Sequence, residues 1–204
     1  MRNLRYYGIG IVILAAGRSI RLGTPKQLLM YKGDTLLNNA IKTACEINED
    51  STVVVLAAGR QAKLLEKDIN VRTQYNFQYK DGIASSIRCG VKYLKYDRRP
   101  IQYIMLMTCD QPHVDAAHLS ALIAKQEETG AKIVASLYEG RKGIPALFHR
   151  KLFPELLSLT GDTGAKHIIE KYDADTAVVP FPLGAIDIDT EEAYQALITA
   201  TPGK

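Results

Sequence analysis

The sequence predicts an α/β fold with a mostly parallel central sheet. Three observations lead there. Continuous apolar runs, IGIVILA at residues 9–15 and TVVVLAA at 52–58, suit strands buried on both faces. Segments with apolar residues at helical spacing separate such runs, and that alternation favours parallel strands, right-handed connections and helices on both faces. The chain has 204 residues, 47% apolar and 24% charged, enough for one sizeable domain.

The elements follow in order. Residues 9–15 form the first strand. A helix spans 35–47, where Leu36, Leu37, Ala40, Ile41 and Ala44 share a face and Asp34 stands in position to cap it. Residues 52–58 are the second strand and 61–67 a short helix. Strand and helix repeat at 71–75 and 83–94, then at 101–107 and 116–128, with 132–137 extended again. The last third is less regular. Residues 144–148 and 176–180 read as extended and 151–159 and 165–171 as helical. Asp189, Thr190, Glu191 and Glu192 open a last helix that ends near Ala200. No linker rich in Pro, Gly or Ser divides the chain, which predicts one domain over residues 1–204. LAAGR occurs at 14–18 and at 56–60, but a solenoid needs a third copy. Two parallel strands that end in small residues before a turn explain the pair better.

Composition excludes several classes. Lysine and arginine number 26 against 22 acidic residues, a formal charge of +4 spread along the chain. That excess favours an anionic substrate and is no footprint of nucleic-acid binding. No segment is long and apolar enough to span a membrane, and the first apolar stretch runs into Gly17 and Arg18 rather than a cleavage site, so it reads as a strand and not a signal peptide. Cys45, Cys89 and Cys109 fit no zinc or disulfide pattern and suit a reducing compartment, so a cytoplasmic location is expected. His113, His118, His149 and His167 lack ligand spacing.

In open parallel sheets, ligands bind beyond the carboxyl ends of the strands. Three loops expected there carry chemistry. The first, LAAGRSIRLGTPK over residues 14–26, combines Gly17 and Gly23, which allow close backbone approach and positive φ, with Ser19, Arg18, Arg21 and Lys26. Backbone N–H groups, cations and a nearby helix start make an anion site, with phosphate the obvious ligand. The spacing is neither that of a Walker A loop nor GxGxxG. The second loop, TCDQP at 108–112, places Asp110 directly after a strand. A hard oxygen ligand facing the phosphate loop suits Mg²⁺ bridging to a triphosphate, and Asp115 is the better cap for the next helix. In the third, Gly82, Ser85 and Ser86 set small donors at a helix start, able to read a base or sugar edge or simply to cap that helix. Near the C-terminus, Asp187 and Asp189 stand at i, i+2, which on extended backbone points both to one side. One of them would complete a metal site with Asp110, although Asp189 or Thr190 competes as cap of the last helix.

Together these residues resemble the MobA-like nucleotidyltransferase family, and within it the molybdenum cofactor cytidylyltransferases. The family's first loop has the form LAAGxSxRMGxPK, and residues 14–26 depart from it only at Leu22. Further likenesses follow in order: Asn76, Gly82 and SSIRCG at 85–90, DQP at 110–112, GIP at 143–145, GDTGAK at 161–166 and DIDT at 187–190. The family usually has arginine where Lys166 stands, which keeps the charge and loses the bidentate fork.

The resemblance implies a Rossmann-like three-layer α/β/α nucleotidyltransferase fold, with residues 1–112 mainly binding nucleotide and 113–204 mainly binding the acceptor. It implies transfer of CMP from CTP to the phosphate of molybdopterin or its molybdenum form, for an apo-molybdoenzyme of xanthine dehydrogenase type, sometimes within purine catabolism. Ala15 and Ala16 match the cytidylyl branch, where guanylyl enzymes typically have LAGG. Leu14, Ala15, Ala16, Gly17, Ser19, Gly23, Lys26, Gly82 and Ser86 would bind nucleotide. Arg21, Lys26 and Asp110 would be catalytic, and Asp110, Asp187 and Asp189 would hold Mg²⁺. The alternatives are a relative that uses GTP or another phosphate acceptor, and a non-catalytic cofactor chaperone. An oxidoreductase lacks a motif to support it here.

Overall fold

The computed structural model describes residues 6, 8–17, 19, 22–59 and 71–200. The helix expected at 61–67, Arg18 and Arg21 lie outside the described residues. Strand β1 (Ile9–Ala15) is buried over its whole length. A hairpin that hydrophobic patterning misses comes next, β2 (Met30–Tyr31) with β3 (Asp34–Thr35). Helix α1 (Leu36–Asn48) starts immediately after it. Thr35, not Asp34, caps this helix, because the Thr35 hydroxyl accepts from Asn38 N. Asp34 instead accepts from Thr35 N at 2.7 Å and from the Asn38 amide at 2.9 Å, which braces the cap from outside.

Strands β4 (Thr52–Ala57), β5 (Arg72–Asn76) and β6 (Tyr103–Thr108) pair in parallel around β1. The Leu-Ala starts of the two repeats end adjacent parallel strands, where Ala15 faces Leu56. Strand β7 (Ile133–Tyr138) and β8 (Arg141–His149) form a hairpin. Its two connecting residues, Glu139 and Gly140, have φ of 47° and 70°, which matches the strand twist in a tight turn. Strand β9 (Thr176–Pro180) adds to β7 in parallel, and the sheet order is β5-β4-β1-β6-β8-β7-β9. Only β8 runs against its neighbours, so the sheet is mostly parallel, as expected.

Period-two alternation along β1 divides the core. Ile9, Ile11, Ile13 and Ala15 pack with α1 and with α3 (Ala116–Thr129). Val12, Leu14 and Ala16 pack with α2 (Ile83–Lys95), α4 (Phe153–Ser158) and α5 (Lys166–Lys171). Helix α2 sits close to β1 because each contributes a glycine to the contact. A Cβ on Gly10 would lie 2.6 Å from Leu94, and one on Gly90 would lie 2.4 Å from Val12. The final helix, α6 (Glu191–Ala200), joins Tyr31, Leu36 and Ile188 in a smaller cluster through Leu197. No helix among the described residues is long and apolar enough to cross a membrane.

Candidate active site

The first loop leaves β1 at Ala15 and is pinned by the residues that end it. Gln27, buried, donates from Nε2 to Ala15 O at 2.7 Å and Gly17 O at 3.1 Å. The Ser19 hydroxyl accepts from Lys26 N at 2.9 Å. Left-handed backbone occurs at Ser19 and Gly23, with φ of 48° and 66°, and not at Gly17. Pro25 then leads into a short 3₁₀ turn (Lys26–Leu28), which sends the Lys26 side chain over the end of the sheet.

Two carboxylates meet it there. Lys26 Nζ donates to Asp110 Oδ2 at 2.5 Å and to Asp189 Oδ1 at 2.7 Å. Asp110 is free for this because Asp115 caps α3 by accepting from His118 N. Asp189 is free because the Thr190 hydroxyl accepts from Ala193 N at the start of α6. The two carboxylate-bearing segments are tied by their backbones, Ile188 N donating to Asp110 O at 3.0 Å. Burial opposes the charge on Lys26, yet the two carboxylates together outweigh it and hold the ammonium well above the ordinary lysine range. Asp187 is pushed up by burial and then by the charges of Asp189 and Asp110. Among the described residues, no group of three or more His, Cys, Asp or Glu side chains is arranged to hold a metal ion. The lysine stands between two of the three aspartates instead. Asp110 and Asp189 still offer hard oxygens converging on one cation, and Mg²⁺ sites commonly use one or two carboxylates plus substrate phosphates.

The start of α2 forms the opposite wall. Asn76 Nδ2 donates to Ser85 Oγ at 2.7 Å and Ser86 Oγ at 3.0 Å, and Ser85 Oγ donates to Gly82 O. Neither serine caps the helix; Gly82 occupies the cap position. Gly82 has φ of +88°, and a Cβ there would fall 2.2 Å from Gly161 O, so only glycine lets the GDTGAK turn approach.

Two cavities of about 420 Å³ each open onto Asp110. Leu14, Ala15, Ala16, Gly17, Lys26, Gly82 and Ser86 line the first. Gln111, Tyr138, Arg141, Lys142, Lys166 and Asp187 line the second. Ile83, Thr108 and Asp110 belong to both. The structure thus gathers most of the expected residues, while Ser19 acts behind the wall through Lys26 N and Gly23 does not line either cavity. Sequence reasoning missed Gln27, Tyr138, Arg141 and Lys142. Gln27 directly follows the loop motif, which is a usable signal. Tyr138 to Lys142 reach the site only through the β7–β8 hairpin, which the pattern left undefined. Gln111, quoted only as part of a motif, braces the second cavity: its Nε2 donates to Ile144 O and Gly184 O at 3.2 and 2.9 Å.

Comparison with known proteins places the chain in a family. The purine catabolism protein PucB of Bacillus subtilis is 29% identical over 92% of this chain and 94% of its own length. Nicotine blue oxidoreductase of Paenarthrobacter nicotinovorans is 29% identical over 76% and 78% of the two chains. A probable molybdenum cofactor guanylyltransferase of Bacillus cytotoxicus is 22% identical over 92% and 95%. Among solved structures, the homologue of Mycobacterium tuberculosis Rv0371c from Mycobacterium sp. strain JC1 superposes with a TM-score of 0.79 at 30% identity, covering 94% and 96% of the chains. Rv0371c of Mycobacterium tuberculosis H37Rv in complex with manganese does so with a TM-score of 0.75 at 26% identity, covering 95% and 100%. The family model described as the MobA-like NTP transferase domain matches residues 11–176. That span runs from β1 into β9 and takes in the loop, Lys26 and Asp110, and so the chain belongs to the MobA-like NTP transferase family and is a nucleotidyltransferase.

Proposed function

We propose that this enzyme transfers CMP from CTP to the phosphate of molybdopterin or its molybdenum form, giving molybdopterin cytosine dinucleotide and pyrophosphate for a molybdoenzyme of xanthine dehydrogenase type. The observation that carries this is the pair of cavities that meet at Asp110. A transfer enzyme needs two sites open to one reaction point. The loop cavity takes the nucleotide, and the cavity with Arg141, Lys142 and Lys166 takes an anionic acceptor. Residues 1–112 supply the first apart from Asp162, and most of the second comes from beyond residue 113, which supports a nucleotide part and an acceptor part within one domain. The likeness to the PucB and guanylyltransferase relatives favours the purine catabolism and molybdenum cofactor setting.

The acceptor phosphate is already an anion at neutral pH. Its oxygen bonds to the α-phosphorus as the bond to pyrophosphate breaks, and the electron pair leaves with pyrophosphate, so no general base is required. Lys26 and Arg21 hold the triphosphate and stabilise the charge that builds on the leaving group. To do so, the Lys26 ammonium exchanges at least one carboxylate oxygen for a phosphate oxygen. Asp110, with Asp189 or Asp187, would hold a divalent cation, proposed as Mg²⁺, which would supply Lewis-acid neutralisation of phosphoryl charge. Gly82 and Ser86 sit against the base. Ala15 and Ala16 both line the loop cavity, and their methyl groups narrow it relative to glycine, which supports a pyrimidine over a purine.

The test is incubation with molybdopterin and each of CTP, GTP, ATP and UTP, following pyrophosphate release and product mass. The expected result is a cytosine dinucleotide from CTP. A guanine dinucleotide would assign the enzyme to the guanylyl branch, and binding without product would make it a cofactor carrier.

A further inference from the structure

A second cleft lies away from Asp110. It has a volume of about 630 Å³ and is lined by Arg72, Gln74, Cys89, Lys92, Tyr93, Tyr96 and the 97–99 turn. Arg72 opens β5 and the turn follows α2, so the cleft sits at the amino-terminal edge of the sheet. The loop cavity is at the other end of α2, whose 13 residues span about 20 Å.

The floor of this cleft is organised around one carboxylate. Asp97, with a side chain 8% exposed, accepts from Arg99 Nε and Arg99 NH2 at 2.9 Å each, and from Arg72 NH1. Arg99 NH1 also donates to Asp50 O. Asp97 therefore fixes two guanidinium groups in place while neutralising only one of them. Lys92 and Arg98 at the rim have no carboxylate partner among the described residues. The lining thus holds four cations against one anion. Tyr93 of α2 and Tyr96, which directly follows it, line the same space.

We propose that this cleft is a second ligand site, for a phosphorylated small molecule that also carries a flat ring. Fixed guanidinium groups match the oxygens of a phosphate, and a surplus of three positive charges suits a dianion better than a single carboxylate. The tyrosine rings offer faces for a planar group. The volume falls within the range of small-molecule sites. None of this depends on which nucleotide or acceptor is used at Asp110.

Cys89 supplies a local reporter, because it lines this cleft and neither of the cavities at Asp110. Alkylation of Cys89 and of Cys45, which lies on α1, is followed by peptide mass spectrometry with adenosine 5′-monophosphate as the probe. A bound ligand slows Cys89 by one plus the ratio of concentration to Kd, roughly tenfold at ten times Kd, and leaves Cys45 unchanged. The double variant Lys92→Glu with Arg98→Glu, both exposed side chains, is expected to lose that protection while keeping its melting temperature and its nucleotide binding at Asp110. An unprotected Cys89 at millimolar probe overturns the proposal. So does equal protection by adenosine, which lacks the phosphate, or protection that survives in the double variant. Equal protection by inorganic phosphate overturns the flat-ring requirement.

Discussion

Replacing Lys26 with methionine keeps the side-chain stem and removes the charge between Asp110 and Asp189. The pair with Asp110 is the more buried one, each side chain being 15% exposed, whereas Asp189 is 47% exposed. Removing one partner of a buried pair costs about 3–5 kcal/mol, mostly by stranding the other charge. The pair with Asp189 is half in solvent and adds roughly 0–1 kcal/mol. Against both stands the relief of no longer burying the Lys26 ammonium, the largest influence opposing its charge. A net loss of about 2 kcal/mol remains, which for a chain of this size lowers Tm by roughly 4–8 °C. Turnover should fall by about 10²–10³, as when one donor to a developing anion is removed. The same variant should regain stability when Mn²⁺ is added without nucleotide, because its freed carboxylates face one another; the wild type, with its ammonium in place, should respond far less. The measurements are Tm with chelator and with Mn²⁺, and pyrophosphate release. Unchanged Tm together with turnover within twofold of wild type would refute the role of Lys26, and equal Mn²⁺ responses would refute its place between the carboxylates.

Other perturbations isolate single contacts. Gly82→Ala puts a Cβ 2.2 Å from Gly161 O at a φ of +88°, so a stability loss of about 2 kcal/mol and a raised KM for nucleotide are expected; a wild-type KM would dissociate the GDTGAK turn from nucleotide binding. Asp189→Asn should change Tm little, since that pair is half exposed, yet raise the Mg²⁺ needed for half-maximal rate by about tenfold. An unaltered metal titration would make Asp187 the second ligand. Ala16→Gly should raise use of GTP relative to CTP in a competition assay, and an unmoved ratio would detach base choice from this position. His118 is held below its ordinary range by burial, against the opposing charge of Asp115, while bonded to Ser136 Oγ at 2.7 Å. The unfolded chain therefore takes up the proton first as pH falls. Stability should be highest above the ordinary histidine pKa of about 6.5 and decline below it until the folded protein also titrates, a decline that His118→Gln should lessen in denaturant titrations.

The α/β alternation was legible because β1 and β4 are apolar along their length and α1 and α2 show clean helical spacing. The β7–β8 hairpin was not. Its turn uses Glu139 and Gly140 where Asn-Gly would have announced it, and β8 opens with the polar Arg141 and Lys142, which carry no strand pattern. Missing the hairpin hid the residues that line the acceptor side of the site. At Thr35, two adjacent residues could each cap α1, and only the geometry chooses between them. The first loop was legible in part: Leu14 to Gly17 and Lys26 line the loop cavity, Ser19 and Gly23 do not, and Arg18 and Arg21 lie outside the described residues. What spacing does not reveal is that Lys26 rests between two carboxylates, because Asp110 and Asp189 lie 84 and 163 residues beyond it.

That resting position bears on the order of events. On the proposed function, Lys26 and a divalent cation would compete for the same oxygens of Asp110 and Asp189, whose two negative charges favour a cation. An ammonium satisfies this need while the site is empty, and it is covalently attached, so its local concentration does not fall with dilution. A triphosphate changes the balance by offering the ammonium oxygens of its own and by bringing a cation with it. The carboxylates would then, on the proposed function, hold the divalent cation in place of the ammonium, and neither would be left unpaired. On the proposed function the nucleotide and its metal enter together, because Lys26 occupies Asp110 Oδ2 and Asp189 Oδ1, the oxygens a cation would take, until a triphosphate draws it away.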